Sequence, residues 1–326
     1  MKVYIVGAGS VGRFLGETLS RVNVEVVYAP RNLADVVPYD ADVAIVATKS
    51  FDTPGAIATL RAAIVTPEKC VFVTPQNGVG NEELLAEAFG ARNVMAAALT
   101  VPVETDRDGR VGARNTGGLA LAPMADVAYN WLVATFGSAG LQTTVVSDWR
   151  ALKWSKLALN VVANASCAIL NVLPNRLVAF DHIFTLEIHA VREVRDVMHA
   201  MKITPIDLPR YPVRALLGVA SLPSPVAKAI LSSRVSGGRG TKPPSLLLDI
   251  RAGKSQTEVD MLNGAVAAAG SRLGIPTPVN AVYARVLSDI ANMPQLWPKY
   301  RERPEALEGE VMAEVQRQRS LRKHKT

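Results

Sequence analysis

The sequence predicts an α/β protein in which a doubly wound, Rossmann-type domain is followed by an all-α C-terminal domain. Three observations carry this prediction. Residues 3–29 run strand, glycine turn, helix and strand, in the spacing of one right-handed strand-helix-strand unit. Short runs rich in β-branched residues follow near 42–48 and 71–74, apolar throughout, as strands buried on both faces are. Beyond Asp148 no convincing strand remains, and apolar residues recur at helical spacing. The expected boundaries are 1–147 for the sheet domain, 148–293 for the helical domain and 294–326 for a polar, basic tail.

The first strand, Met1 to Val6, breaks into Gly7-Ala8-Gly9-Ser10-Val11-Gly12 before a helix ending near Val22. The three glycines serve different ends. Gly7 allows the tight turn, Gly9 lets the backbone approach a pyrophosphate, and Gly12 lets the helix pack on the strand. The helix N-terminus then faces the phosphates of a bound dinucleotide. The second strand, Val24 to Ala29, indicates which dinucleotide. An NAD site usually has a carboxylate at this strand's end for the ribose 2′-hydroxyl, and none lies between Val26 and Ala34. Arg31 offers a planar fork to a 2′-phosphate, favouring NADP, although a solvated loop arginine fits the same position.

Asp42 to Thr48 is the third strand, and Lys49 follows it, where open sheets collect ligands. Lys49 is read either as a contact to an anionic ligand or as a surface lysine. A helix from Thr53 to Ile64 and a strand from Val71 to Thr74 lead into Pro75-Gln76-Asn77-Gly78-Val79-Gly80, a second glycine-rich turn ahead of a helix from Glu82 to Phe89. Asn77 has an amide to offer a nicotinamide or a carbonyl, but Asn-Gly is also a common turn pair. Short alternating runs from Val94 to Leu121, around Asp108-Gly109, predict antiparallel strands closing the sheet edge. A helix from Ala125 to Ser138 and a strand from Thr143 to Val146 complete the domain.

Composition excludes several classes. With 326 residues, 49% hydrophobic and 20% charged, the chain suits two globular domains. No membrane partner is expected, because the longest nearly apolar stretch, Leu157 to Leu173, is interrupted by Asn160, Asn164 and Asn171. The net charge of +7 does not call for nucleic acid, since Arg317, Arg319, Arg322, Lys323 and Lys325 sit in the tail and removing those five leaves a body at +2. Cys70 and Cys167 form neither a disulfide framework nor a metal spacing. A first strand at residue 3 leaves no room for a signal peptide, so a cytoplasmic, reduced protein is expected.

In the second domain, Trp149 to Leu170 is expected as an entry helix, apolar on most sides except for Lys156, Asn160 and Asn164 at i, i+4 and i+8. Three polar groups aligned in apolar surroundings need partners, and a polar ligand is one answer. A helix from Phe180 to Met201 carries His182, His189 and His199 at spacings that do not make a metal pair, so no metal is expected. Residues 203–244 are rich in Pro, Ser and Gly and are expected to be irregular, ending in a mobile loop at 236–244. A short helix, Leu246 to Ala252, comes next. Ser255 and Glu258 read as a capping box opening a helix to Leu273. A last helix runs from Pro278 to about Ala291, and the chain past Met293 is expected to be loosely attached.

The glycine turn, Arg31, Lys49, Gln76-Asn77-Gly78-Val79-Gly80, Trp154-Ser155-Lys156-Leu157-Ala158-Leu159-Asn160 with Asn164, Ser245-Leu246-Leu247-Leu248-Asp249 and Thr257-Glu258-Val259-Asp260 together resemble, in the same order, the ketopantoate reductase (2-dehydropantoate 2-reductase) family. The resemblance covers roughly Met1 to Ile290. It departs in a shorter connection from Arg31 to Asp42, one extra residue in the 253–258 turn, and Pro243-Pro244 ahead of Ser245.

The resemblance implies a reductase in which NADPH gives a hydride to the keto carbon of a 2-keto acid, ketopantoate in the type case, yielding pantoate for pantothenate synthesis. By the same resemblance, Lys156 matches the proton donor and Asn160, Asn164 and Ser245 match substrate contacts. Asn77 lies between nicotinamide and substrate, Glu258 is a partner of cofactor and lysine, and Asn175 is a further substrate contact. The chemistry is sound: an ammonium within hydrogen-bond reach stabilises the charge growing on the carbonyl oxygen and then supplies the proton. A homodimer is the assembly that goes with this reading. The alternatives are an NADP-binding sensor without turnover and a related dehydrogenase acting on a different hydroxy or keto acid.

Overall fold

The computed structural model describes residues 1–105, 110–113, 117–238 and 242–323. Among these the chain divides into two compact units. One is Met1–Lys156 with Pro205–Pro212, and the other is Leu157–Thr204 with the chain from Val213 on.

The first unit is built on a seven-stranded sheet. Its strands are β1 (Lys2–Val6), β2 (Glu25–Tyr28), β3 (Val43–Val46), β4 (Val71–Thr74), β5 (Val94–Leu99), β8 (Leu119–Pro123) and β9 (Thr143–Val145), in the order β2-β1-β3-β4-β5-β8-β9. All neighbours are parallel except β5 and β8. The antiparallel strands expected to close the sheet edge do not do so: β6 (Val103–Thr105) and β7 (Val111–Ala113) form a separate antiparallel pair, β8 lies inside the sheet and β9 is its edge, and the Asp108-Gly109 turn lies outside the described residues. Five helices belong to this part of the chain: α1 (Ser10–Ser20), α2 (Thr53–Ala63), α3 (Asn81–Phe89), α4 (Asn130–Ser138) and α5 (Trp149–Val161).

Successive strand side chains point to opposite faces, so an unbroken apolar run serves two cores. Val3, Ile5, Val43, Ile45, Val71 and Val73 pack with Leu15, Leu19 and Phe136 of α1 and α4. Tyr4, Val6, Ala44, Val46 and Phe72 pack on the other side with Leu60 and Leu85 of α2 and α3. This double burial explains why β1 and β3 read as continuous hydrophobic segments.

The regular elements of the second unit are helices among its described residues, with α6 (Ala165–Leu170), α7 (Pro174–Leu177), α8 (Asp181–Ala200), α9 (Val213–Ala220), α10 (Ser224–Gly238), α11 (Ser245–Arg251), α12 (Asn263–Leu273), α13 (Pro278–Asn292) and α14 (Pro304–Lys323). The helix α8 buries Ile183, Phe184, Ile188, Val191, Val194 and Met198 along one face at the helical period. It also buries two carboxylates. Glu193 accepts from the backbone N–H groups of Val279 and Asn280, both at 2.9 Å, and so caps α13 from a neighbouring helix. Glu187 accepts from the N–H of Ala163.

Four further expectations are corrected. The predicted entry helix from 149 to 170 is interrupted: α5 ends at Val161, Ala163 takes a left-handed φ of 49°, and α6 starts afresh at Ala165. The carboxylate of Glu187 receives the backbone N–H that the break exposes. Residues 203–244 hold two helices rather than irregular chain. Several of their prolines and glycines fall at helix ends, with Pro212 before α9, Pro225 in the first turn of α10 and Gly237-Gly238 at its close, where they are tolerated. Residues 236–238 of the expected mobile loop are helical, and 239–241 lie outside the described residues. The Ser255 capping box does not form: Thr257 is the cap, accepting from Val259 N–H, and a 3-10 turn over Glu258–Met261 precedes α12.

The last of these corrections concerns the stretch past Met293. Trp297 Nε1 donates to the carbonyls of Ala168 and Ile169 at 3.0 and 2.9 Å, and Glu302 N–H donates to Leu170 O at 2.8 Å. These bonds satisfy the last carbonyls of α6, which no helical partner could reach. Leu307 and Val311 of α14 are buried as well.

Glu310 fastens α14. It accepts from Lys299 Nζ at 2.8 Å, Arg285 Nη2 at 2.9 Å and the Tyr300 hydroxyl at 3.0 Å. The hydrogen bonds from Lys299, and then from Arg285, lower its pKa from the usual 4.5 to about 2. A carboxyl depressed on folding stabilises the protein above its unfolded value, and that contribution disappears as pH falls toward the folded value. Glu310→Gln is therefore expected to cost roughly 0.5–1 kcal/mol at pH 7, the scale of a surface ion network. Urea unfolding should show the difference shrinking between pH 4.5 and 2; a difference undiminished at pH 2 would contradict this assignment.

Candidate active site

In the first unit, the turn after β1 is shaped by what its glycines lack. Gly7 has φ of 106°, and a Cβ there would stand 2.5 Å from Thr48 N and 2.6 Å from Ala47 C. A Cβ on Gly12 would fall 1.9 Å from Gly7 O, so α1 meets the turn backbone to backbone. Gly9 differs: a Cβ there would meet nothing within 4 Å, and Ala8 and Gly9 are both exposed. Ser10 and Val11, half-buried, open α1 just behind it. An open glycine backbone at the head of an eleven-residue helix is a cradle of the kind a pyrophosphate fills. The residues thus fit a dinucleotide. Arg31 is exposed beyond the end of β2, whose Tyr28 hydroxyl lies against Gly16 of α1.

The turns after β3 and β4 are tied to each other by buried polar groups. The Gln76 side-chain amide donates toward Thr48 O, Thr48 Oγ1, Lys49 O and Thr53 Oγ1 at 3.0–3.4 Å, and its oxygen accepts from Thr74 Oγ1 at 3.0 Å. Ser50 Oγ donates to Asn77 O at 2.5 Å, and Asn81 Nδ2 donates to the same oxygen at 3.2 Å. Gly7, Lys49 and Asn77 are thereby gathered at the carboxyl ends of β1, β3 and β4, the edge of an open sheet where ligands bind. Lys49 and Asn77 are both half-buried.

Sequence patterning alone misses an enclosed charge pair in this unit. Lys153 on α5 is 1% exposed, and its ammonium stands 2.9 Å from Glu82 Oε1, itself fully buried in the first turn of α3. Lys153 Nζ also donates to Gln76 O at 2.6 Å and to Ala97 O at 3.4 Å. Burial pushes the Glu82 carboxyl up, and the ammonium of Lys153 pulls it back. The only sequence signal is a second lysine one helical turn before Lys156. Lys156 itself is half-buried, as is Asn160 one turn further along α5.

In the second unit, Asn164 is buried and precedes α6, where its Oδ1 accepts from Leu246 N–H at 3.2 Å. This bond sets Asn164 beside the head of α11, whose first residue, Ser245, is exposed. The break at Ala163 means that Asn164 does not continue the line of Lys156 and Asn160 on one helix, as i+8 spacing implies. Glu258 is buried in the 3-10 turn ahead of α12. Asn175 is exposed on α7, and its Oδ1 accepts from the N–H of the next residue, Arg176, at 3.0 Å, which gives it a local structural role.

A glycine turn fitted to a dinucleotide at the crest of a parallel sheet, followed by an all-helical unit, defines a two-part nicotinamide-dependent oxidoreductase. Two family models match the chain: the ketopantoate reductase PanE/ApbA model over residues 23–126 and its C-terminal counterpart over 148–291. The chain belongs to the ketopantoate reductase family. It is 29% identical over 299 residues to a 2-dehydropantoate 2-reductase of Pyrobaculum aerophilum, spanning 85% of this chain and 93% of that one. Among solved structures, a PanE/ApbA family ketopantoate reductase from Ralstonia eutropha JMP134 is 26% identical with a TM-score of 0.74, covering 90% of this chain and all of that one. A D-mandelate dehydrogenase in complex with NADH is 19% identical with a TM-score of 0.73, covering 90% and 99%, and shows that the fold is shared. Among the described residues no helix is long and apolar enough to cross a membrane.

The glycines predict a separable pair of outcomes. Gly12→Ala should destabilise the protein by at least about 1–3 kcal/mol, because a backbone must move to admit the methyl group. Gly9→Ala should leave the melting temperature unchanged and weaken dinucleotide binding, measured by titration calorimetry. Equal binding by Gly9→Ala and the parent protein would contradict the cradle.

Proposed function

We propose that this protein reduces a 2-keto acid to the 2-hydroxy acid with NADPH, with ketopantoate as substrate and pantoate as product, and that Lys156 donates the proton. The observation that carries the reading is the pairing of the glycine cradle with Lys156 and Asn160 one turn apart on α5, in a chain of this family. NADP is favoured over NAD because no carboxylate lies between Val26 and Ala34, at the end of β2, and an exposed arginine, Arg31, stands there instead. Ketopantoate is favoured because the matched relatives are 2-dehydropantoate 2-reductases.

When bound, the reduced dinucleotide supplies the hydride that the keto carbon gains. The chain's residues do the rest. The ammonium of Lys156 stabilises the charge developing on the keto oxygen and passes its proton there, so that the C=O becomes a C–OH and the lysine amine is reprotonated from solvent. Asn160, Asn164 and Ser245 present amides and a hydroxyl to the carboxylate and hydroxyl groups of the substrate. Asn77 orients the keto group beside the nicotinamide, Lys49 contributes positive charge toward the dinucleotide, and the family resemblance gives Glu258 the part of a partner to the lysine and the cofactor. Asn175 is a weaker member of this set, since its amide oxygen already serves Arg176. The active assembly in this reading is a homodimer.

A spectrophotometric assay with ketopantoate tests the reading. The protein should oxidise NADPH faster than NADH. Lys156→Ala should lose about 10²–10⁴-fold in kcat, the usual scale of general acid catalysis, while still binding NADPH. Full activity in Lys156→Ala would reject the assignment, and NADPH binding without oxidation across a panel of 2-keto acids would reject turnover itself.

A further inference from the structure

Lys153 and Glu82 are a charged pair with almost no exposure to water, 1% and 0%. Such a pair is a poor device for stability alone, because desolvation consumes most of the attraction and an apolar pair of similar volume does as well or better. What the pair does provide is direction. The Lys153 ammonium donates to two carbonyls, Gln76 O at 2.6 Å and Ala97 O at 3.4 Å, and has the Glu82 carboxylate 2.9 Å away as its counterion. Gln76 is at the entry of the Pro75–Gly80 turn and Glu82 just past its exit. One ammonium therefore clips both ends of the turn that carries Asn77, and ties it to β5.

The same ammonium belongs to α5, three residues ahead of Lys156, on a neighbouring position of the helix surface. The turn bearing Asn77 and the helix bearing Lys156 are thus registered through one side chain, within one compact unit. We propose that Lys153, with Glu82 as its counterion, is a positioning residue for the reduction, setting the placement of Asn77 relative to Lys156. The inference rests on the function proposed above. It adds a requirement that neither the proton donor nor the substrate amides express: the acid and the nicotinamide-side amide must be held in register by a buried charge.

Paired substitutions separate positioning from mere support. Lys153→Met alone leaves Glu82 buried without a counterion and should lower the melting temperature. The paired variant Lys153→Met/Glu82→Leu removes both charges and should restore the melting temperature, yet kcat should remain about 10–100-fold below the parent, the scale of a misplaced reacting group. KM for the keto acid should change by less than about threefold, and NADPH affinity likewise. If the apolar pair does not fold, Lys153→Met/Glu82→Gln, closer in shape, is read the same way. Recovery of kcat together with the melting temperature would overturn the proposal, because the pair would then be structural only. Absence of turnover in the parent protein would instead sink the functional reading, and with it this inference.

Discussion

The side-chain amide of Gln76 has two hydrogens, and four oxygens stand within 3.4 Å of its nitrogen, on Thr48, Lys49 and Thr53. Residues 48–53 follow β3 and residues 75–80 follow β4, so one buried amide joins two turns that the sheet alone would leave side by side. The backbone of Thr48 in turn approaches Gly7 too closely for any side chain to intervene. Three strand ends are consequently held at one level, and the groups proposed to meet a dinucleotide are displayed from a rigid crest rather than from separate loops. Remove that amide, and Lys49 and Asn77 lose their common reference.

In the helical unit the comparable role falls to carboxylates. Glu187 takes the N–H exposed where α5 ends, and Glu193 takes two N–H groups at the head of α13. Both are buried, where an unbonded carboxylate would be prohibitively expensive. Burial raises the pKa of Glu193 to about 7 even though the helix N–H groups pull it down. The break that Glu187 supports places Asn164 at the head of α6, in bonding distance of Leu246. Two helices thus present their N-terminal ends together, with Ser245 exposed on one of them.

The sheet unit is largely legible in the sequence because its signals are local. Six residues, Gly7 to Gly12, state the turn, and the unbroken apolar runs of β1 and β3 state double burial. The helical unit is less so. The break at Ala163 has no local marker, since Val161-Val162-Ala163 reads as helix and the cause is Glu187, over twenty residues away. The helices α9 and α10 are hidden by prolines and glycines whose positions relative to the helices cannot be told from composition. The segment past Met293 looks polar because its anchors are few: Trp297, Tyr300, Leu307 and Val311 hold it while most other positions face water. Lys153 escapes notice for the same reason, because its partner Glu82 is 71 residues distant and on another element.

The proposed chemistry turns on a proton reaching a keto oxygen from one lysine. A crystal structure with NADP⁺ and a 2-hydroxy acid product bound tests this most directly. Lys156 Nζ is expected within about 2.6–3.2 Å of the product hydroxyl oxygen, the reach a general acid requires. A product hydroxyl met by another donor, with Lys156 turned to solvent, would contradict it.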